Sequence, residues 1–297
     1  MNKTIFILSL FILSLSRITV AKTINIISAK QLRLELQSFV VIDAREEGFE
    51  EFHIPGSYSM QWKDYTVDRG GISKFFNSNV EKWGLVSEDK ALIEQNLSVL
   101  GISNDSKVII VGQPNLWGTE GRIAWNLLFW GLNQVYILDG GILAWKKEKF
   151  PLDTGASKNL SKTNGHFKVN FQWSRRVSKT HIKDLLSSKE AHPLFDIRTF
   201  EEFNGKKLSG QKRGGHLSGA KLIPFTSLYD RNGFFIKKEE FKKRIGLITG
   251  APISYCLGGI RSSLFAILYE YYFENIVENY DGSLWEWSAD SNLPLEI

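Results

Sequence analysis

The chain has 297 residues, 43% hydrophobic and 13% aromatic, a formal net charge of +5 and one cysteine. Such a chain can bury a sizeable core, and its length suits two domains better than one. The mild charge, with no basic stripe interleaved with aromatics, argues against nucleic acid, and a lone cysteine excludes an internal disulfide.

Residues 1–21 carry Lys3, an apolar-plus-serine run from Ile5 to Leu15 and the small-residue ending Thr19-Val20-Ala21. The run is too short to span a bilayer comfortably and has the make-up of a cleaved secretory signal. The mature chain is therefore expected to begin near Lys22, to be exported to a periplasm or secreted, and to hold no membrane segment after cleavage.

From there the landmarks repeat. The first copy has Val40-Val41-Ile42-Asp43-Ala44-Arg45, then Glu50-Glu51-Phe52, His53-Ile54-Pro55-Gly56 and Leu138-Asp139-Gly140-Gly141 before Trp145. The second has Leu194-Phe195-Asp196-Ile197-Arg198, then Glu201-Glu202-Phe203, Gly215-His216-Leu217-Ser218-Gly219 and Tyr280-Asp281-Gly282-Ser283 before Trp287. The spacing between copies changes slowly, as for one unit with loop insertions. Residues 22–150 and 179–297 are read as two like domains, joined by a polar linker over 151–178.

In the first copy Val40–Asp43, Lys107–Val111 and Val135–Leu138 have the continuous apolar character of buried strands, with helical patterns over Lys90–Leu100, Arg122–Trp130 and Ile142–Lys149. In the second, strands are expected at Leu194–Asp196, Ile253–Tyr255 and Ile276–Tyr280, and helices over Lys238–Ile245, Ser262–Phe273 and Ser283–Ser288. Alternation of this kind predicts an α/β fold in both domains, each a mainly parallel sheet flanked by helices. Ligands then lie off the carboxyl ends of the strands.

That is where Cys256 falls, in Ile253-Ser254-Tyr255-Cys256-Leu257-Gly258-Gly259-Ile260-Arg261-Ser262. Loop amides and the start of a helix there would stabilise a thiolate or a persulfide anion. The alternative is a lone cysteine serving as a small buried hydrophobe.

Together these motifs resemble the tandem-domain rhodanese family of sulfurtransferases over essentially the whole mature chain. The resemblance implies a two-step transfer. The Cys256 thiolate takes a sulfane sulfur from a small anionic donor of the thiosulfate or 3-mercaptopyruvate type, and the persulfide passes it to a thiophilic acceptor such as cyanide, a thiol or a protein. It implies no metal and no organic cofactor, with substrate held by Leu257, Gly258, Gly259, Ile260, Arg261, Arg198 and Arg213. It also implies a non-catalytic first domain, in which aligning Arg122 with Arg261 places Trp117 opposite Cys256 as a structural residue. Asp196 and Arg198 are expected to pair at a strand end, His53 and His216 to be turn histidines, and Trp285 and Trp287 to pack in the core or at the pocket mouth.

One departure bears on the donor. Counting from Asp196, Glu202 stands where well-known members carry a donor-binding arginine, and Leu257-Gly258 replaces their charged or polar loop residues. Weak thiosulfate use is expected, relieved by Glu202→Arg, unless Arg213 or Arg261 compensates. A cysteine phosphatase is disfavoured because four residues, one too few, separate Cys256 from Arg261. The five histidines do not fall at metal-ligand spacings. An exported carrier that receives sulfur on Cys256 without turnover stays open.

Overall fold

The computed structural model describes residues 22–67, 82–157, 164–188 and 192–297. The expected signal at 1–21 lies outside the described residues. The first domain runs β1 (Ile24–Ile27), α1 (Ala29–Glu35), β2 (Val40–Asp43), β3 (Tyr58–Ser59), α2 (Lys90–Val99), β4 (Val108–Val111), α3 (Thr119–Trp130), β5 (Val135–Leu138) and α4 (Gly141–Lys147). Its sheet has the order β1-β5-β4-β2-β3, and every pairing is parallel. All four residues of β4 are buried, which is why that strand reads as an unbroken apolar run.

The second domain runs α5 (Lys179–Ser187), β6 (Leu194–Asp196), α6 (Phe200–Phe203), β7 (Lys221–Leu222), α7 (Lys238–Ile245), β8 (Ile253–Tyr255), α8 (Ile260–Phe273), β9 (Glu278–Asn279) and α9 (Ser283–Trp287). Its parallel sheet has the order β7-β6-β8-β9. Arg176 makes a parallel bridge to Asn279. The end of the linker thus borders β9 as β1 borders β5.

Each copy ties its own scaffold locally. The Asp43 and Asp196 carboxylates receive two-pronged bonds from Arg45 and Arg198 at 2.6–3.1 Å. His53 stacks on Phe49 and His216 on Phe203, with Nδ1 at 2.8 and 3.0 Å from the carbonyls of those rings' residues. Trp145 and Trp287 are fully buried, and their indole N–H groups donate to Pro151 and Pro294 carbonyls.

The domains share one apolar core along α3 and α8. A Cβ on Gly121 would overlap the backbone of Leu264, so the two helices touch backbone to backbone there. The seam also holds polar ties. Arg175 pairs with Glu270 at 2.5 and 2.9 Å, both buried. Asp281 accepts from the Val86 amide of the first domain at 2.8 Å and from Arg176 Nε at 3.0 Å.

Gly121 offers a test because propensity and packing oppose each other. In an open helix Gly→Ala gains up to about 1 kcal/mol. Here Gly121→Ala should instead destabilise by roughly 1–3 kcal/mol through overpacking. Denaturant unfolding measures the sign.

Candidate active site

The apolar residues of β8 end at Tyr255, and Cys256 follows with 1% of its surface exposed. Gly259, at φ +78°, precedes the first turn of α8. A left-handed conformation there suits glycine, and it turns the chain so that the amides of Gly258 and Ser262 face the sulfur. The Ser262 hydroxyl lies 3.6 Å from Sγ and 2.6 Å from Asn279 Oδ1, and it has one proton to share between them. Burial pushes the Cys256 thiol up. The Arg261 guanidinium, the Ser262 and Gly258 amides and the Ser262 hydroxyl pull it down by more, so it sits below its ordinary value. That is the condition for a nucleophilic thiolate.

Arg261 is 1% exposed and does not stand free. Its two terminal nitrogens reach the two oxygens of Glu202 at 2.6 and 2.8 Å. Burial pushes the Glu202 carboxyl up, yet Arg261 holds it below the usual range. Glu202 therefore neutralises Arg261 instead of facing a donor, and the expectation that Glu202→Arg would improve thiosulfate use is overturned. A second guanidinium there would meet the first.

Of the other expected contacts, Leu257, Gly258, Ile260 and Arg261 line the cleft over Cys256 and Gly259 turns the loop below it. Arg198 is fully buried against Asp196 and the Gly215 carbonyl. Arg213 spends its guanidinium on the carbonyls of Trp287, Ser288, Asp290 and Leu293, at 2.6–3.3 Å. Both are structural, and neither lines the cleft. Arg213 ties down the C-terminal segment, so it cannot compensate for Glu202.

The cleft encloses about 470 Å³ between the domains. Trp62, Trp83 and Trp117 come from the first domain and Trp285 from the second. At its side Glu46 accepts from Lys63 at 2.6 Å and from Trp62 Nε1 at 3.1 Å. Sequence reasoning missed Trp62, Trp83, Glu46 and Lys63. The available signal was tryptophan in segments with neither helical nor strand periodicity, although Trp62 is itself buried in the shared core and Trp83 packs against it.

The first domain's counterpart of the loop corrects the internal alignment. Asp43 pairs with Val111 and Asp196 with Tyr255. Ile142 then donates to the Gly112 carbonyl as Leu284 does to that of Cys256. Gly112, not Trp117, holds the place of Cys256. A Cβ on Gly112 would overlap the Glu120 carboxyl, so the first domain fills its own cradle with that side chain. Glu120 is 3% exposed, accepts from Tyr229 of the second domain at 2.6 Å, and is pushed up to about 7 by burial, against a smaller pull from Tyr229. Trp117 is not a buried substitute for the nucleophile. It is 45% exposed at φ +49° and lies over the Arg261 guanidinium, 4.9 Å from Cζ to ring centre. The large loss of stability that a buried ring would give is therefore not expected from Trp117→Ala.

Arg122 lies across the seam from the loop. It is fully buried, donates to the Gly84 carbonyl at 2.6 Å, and is brought down to about 10 by burial against the pull of Asp281 and Cys256. Its Nη1 abuts Gly259, where a Cβ would come within 2.6 Å. The first domain thus brings a positive group beneath the Cys256 loop.

The rhodanese-like domain family matches this chain twice, over residues 28–148 and 178–290. A protein of Saccharopolyspora erythraea named "Putative thiosulfate sulfurtransferase" is 29% identical over 270 residues, 87% of this chain and 89% of that one. The sulfur carrier protein TtuD of Thermus thermophilus is 27% identical, covering 83% and 86%. Among solved structures, the 3-mercaptopyruvate sulfotransferase SseA of Escherichia coli superposes with a TM-score of 0.73 at 21% identity, over 89% of this chain and 99% of that one.

Two outcomes follow from the buried carboxyls. Between pH 4.5 and about 7 the folded chain keeps the Glu120 proton that the unfolded chain releases. Its contribution is thus full below pH 4.5 and lost as pH rises to about 7, by roughly 3 kcal/mol. Glu120→Gln should flatten that part of the stability profile in urea titrations across the range. For the second carboxyl, Glu202→Arg should cost about 3–5 kcal/mol, the scale for breaking a buried pair. Glu202→Gln should lower the Cys256 pKa further by freeing the Arg261 charge, and thiolate absorbance against pH reads the shift; a rise would contradict the pairing.

Proposed function

The chain belongs to the rhodanese family, with the domain present twice, and on that premise we propose that it is a sulfurtransferase in which Cys256 carries the sulfur as a persulfide. The observation that carries this reading is a thiol held below its ordinary value at a helix start, opening on a cleft between the domains. Relatives named for thiosulfate and 3-mercaptopyruvate transfer support sulfur transfer as the class of reaction.

In the first step the Cys256 thiolate attacks the sulfane sulfur of the donor. The new S–S bond forms as the donor's bond to that sulfur breaks, and the remainder leaves with the electron pair. In the second step a thiophilic acceptor attacks the outer sulfur, and Cys256 departs as the thiolate. A covalent intermediate splits one transfer into two displacements. Both resting forms are anions, so the Gly258 and Ser262 amides and Arg261 serve the thiolate and the persulfide alike, without rearrangement. The first domain supplies the far wall of the cleft and the Arg122 charge under the loop.

The likeness to a protein named as a sulfur carrier favours a second reading, in which loaded Cys256 delivers sulfur to a protein. Multiple turnover with a small donor and cyanide favours the enzyme, and loading only by a protein partner favours the carrier. Export belongs to the proposal on the strength of residues 1–21 alone.

Cys256→Ser should abolish transfer with the fold intact, because the hydroxyl nearly preserves volume and still meets the loop amides. Intact mass should show one added sulfur on the wild type after donor, removed by cyanide, and none on the variant. Equal transfer by the serine chain would end this mechanism.

A further inference from the structure

We propose that the sulfur donor of this site is an organic sulfane compound bearing a flat apolar group and at most one negative charge, not inorganic thiosulfate. The inference rests on the sulfurtransferase reading and adds the class of substrate. It starts from the charges around the cleft. Arg261 is matched by Glu202 through both terminal nitrogens, and Lys63 by Glu46 at 2.6 Å. Each cation among the described lining residues is thus paired with a carboxylate. A dianion entering here gains the loop amides and the helix start, which Cys256 already uses, and meets no unmatched cation on the cleft wall, since Arg122 lies fully buried beneath the loop and does not line the cleft. Removing two negative charges from water without a counter-charge is costly.

The walls point the same way. Trp62, Trp83 and Trp285 form a continuous aromatic surface. The Trp62 and Trp285 rings are 6.5 Å apart and 22° from parallel, and Trp83 meets Trp285 edge-on at 5.5 Å. Leu257 and Ile260 extend it down to the sulfur. Trp285 is also the reason the loop has no side chain of its own at 258, since a Cβ on Gly258 would overlap its six-membered ring. Indole fills the place where a loop residue could have offered a polar or positive contact. About 470 Å³ is within the range of sites that enclose organic ligands, and a small inorganic ion would leave most of this apolar surface uncovered.

For a donor of the form R–SO2–S⁻ the step balances without an added oxidant, reductant or proton. The Cys256 thiolate attacks the outer sulfur, the bond between the donor's two sulfurs breaks, and the sulfinate R–SO2⁻ leaves with the electron pair. Two negative charges enter and two remain, one on the persulfide and one on the sulfinate.

The test compares thiosulfate, methanethiosulfonate and benzenethiosulfonate on the full mature chain, by steady-state transfer to cyanide and by intact mass of the loaded protein. Methane and benzene donors carry the same charge, so their ratio isolates the flat apolar group. KM for the benzene donor is expected about tenfold or more below that for the methane donor, the scale of one ring buried on aromatic walls, with thiosulfate the weakest of the three. Trp83→Ala and Trp62→Ala, each checked for folding by circular dichroism, should bring the benzene-to-methane ratio toward one. Thiosulfate saturating at or below the benzene donor would overturn the inference. So would a benzene preference that both variants keep, since the ring would then lie elsewhere. Absence of persulfide with all three donors would instead count against the sulfurtransferase reading itself.

Discussion

A cysteine with 1% of its surface exposed can ionise readily only where fixed dipoles and charge replace the water it has lost, and much of this molecule answers that requirement. The amides of the turn and the start of α8 provide the dipoles. Arg261 provides the charge, yet Arg261 is itself buried and would be a cost without a partner. Glu202 meets it with both oxygens, and Glu202 is in turn fixed by a reciprocal cap in which its carboxylate accepts the Thr199 amide while its own amide donates to the Thr199 hydroxyl. Trp117 of the first domain lies over the guanidinium on one side, and Phe225 packs near it at 5.6 Å. The reactive sulfur is thus the first member of a chain of dependence that ends in the other domain.

That dependence explains why two copies of one unit have diverged where they have. Both keep the parts that hold a strand end and its following turn: an Asp–Arg pair, a stacked histidine and a buried tryptophan bonded to a carbonyl. They differ at the loop after the fourth strand of the first sheet and its equivalent in the second. In the second domain four residues, Cys256 to Gly259, separate β8 from α8; in the first, the longer run Gly112 to Gly118 separates β4 from α3. The longer loop has no room for a side chain at Gly112, because Glu120 folds back into that space and binds Tyr229 across the seam. A cradle suited to an anion holds a built-in carboxyl instead, and the freed loop carries Trp117 over to the working site. The first copy has become a wall and a charge partner for the second.

The legible parts of this sequence were those fixed by local pattern. Val40–Asp43, Val135–Leu138, Leu194–Asp196 and Ile253–Tyr255 are strands at the bounds that their apolar runs indicate. The Asp–Arg pairs and His53 follow because their partners lie within a few residues, and His216, whose partner Phe203 is 13 positions away, follows by its likeness to the first copy. Strand β1 and helix α1 were missed although Ser28 and Gln31 form a reciprocal cap, and the two-residue strands β3 and β7 carry no periodicity to find. Alignment of the copies slipped because loop length cannot be counted from Arg122 and Arg261 when the first loop is the longer. Glu202 misled for a different reason. Its charge was plain in the sequence, but its partner is 59 positions away, and no spacing rule links a capping-box glutamate to a loop arginine.

The pairing of charges also bears on how such a site can discriminate. A cleft with free cations attracts any small anion, and its preference weakens as salt screens the attraction. Here the positive groups near the sulfur are already bound to carboxylates or sealed from solvent, so ionic strength has little to act on. The rest of the cleft lining is largely indole, open at Trp117 and mostly buried at Trp62 and Trp285, and its attraction for a flat apolar group is insensitive to modest salt and falls off within contact distance. Chemistry and recognition are therefore divided between the two halves of the cleft. On the proposed reading the loop amides and Arg261 stabilise an anionic sulfur whatever its origin, while the tryptophans, three of the four from the first domain, act on the rest of the donor. Duplication lets one unit hold the reactive atom rigidly while the other changes its loops without disturbing it.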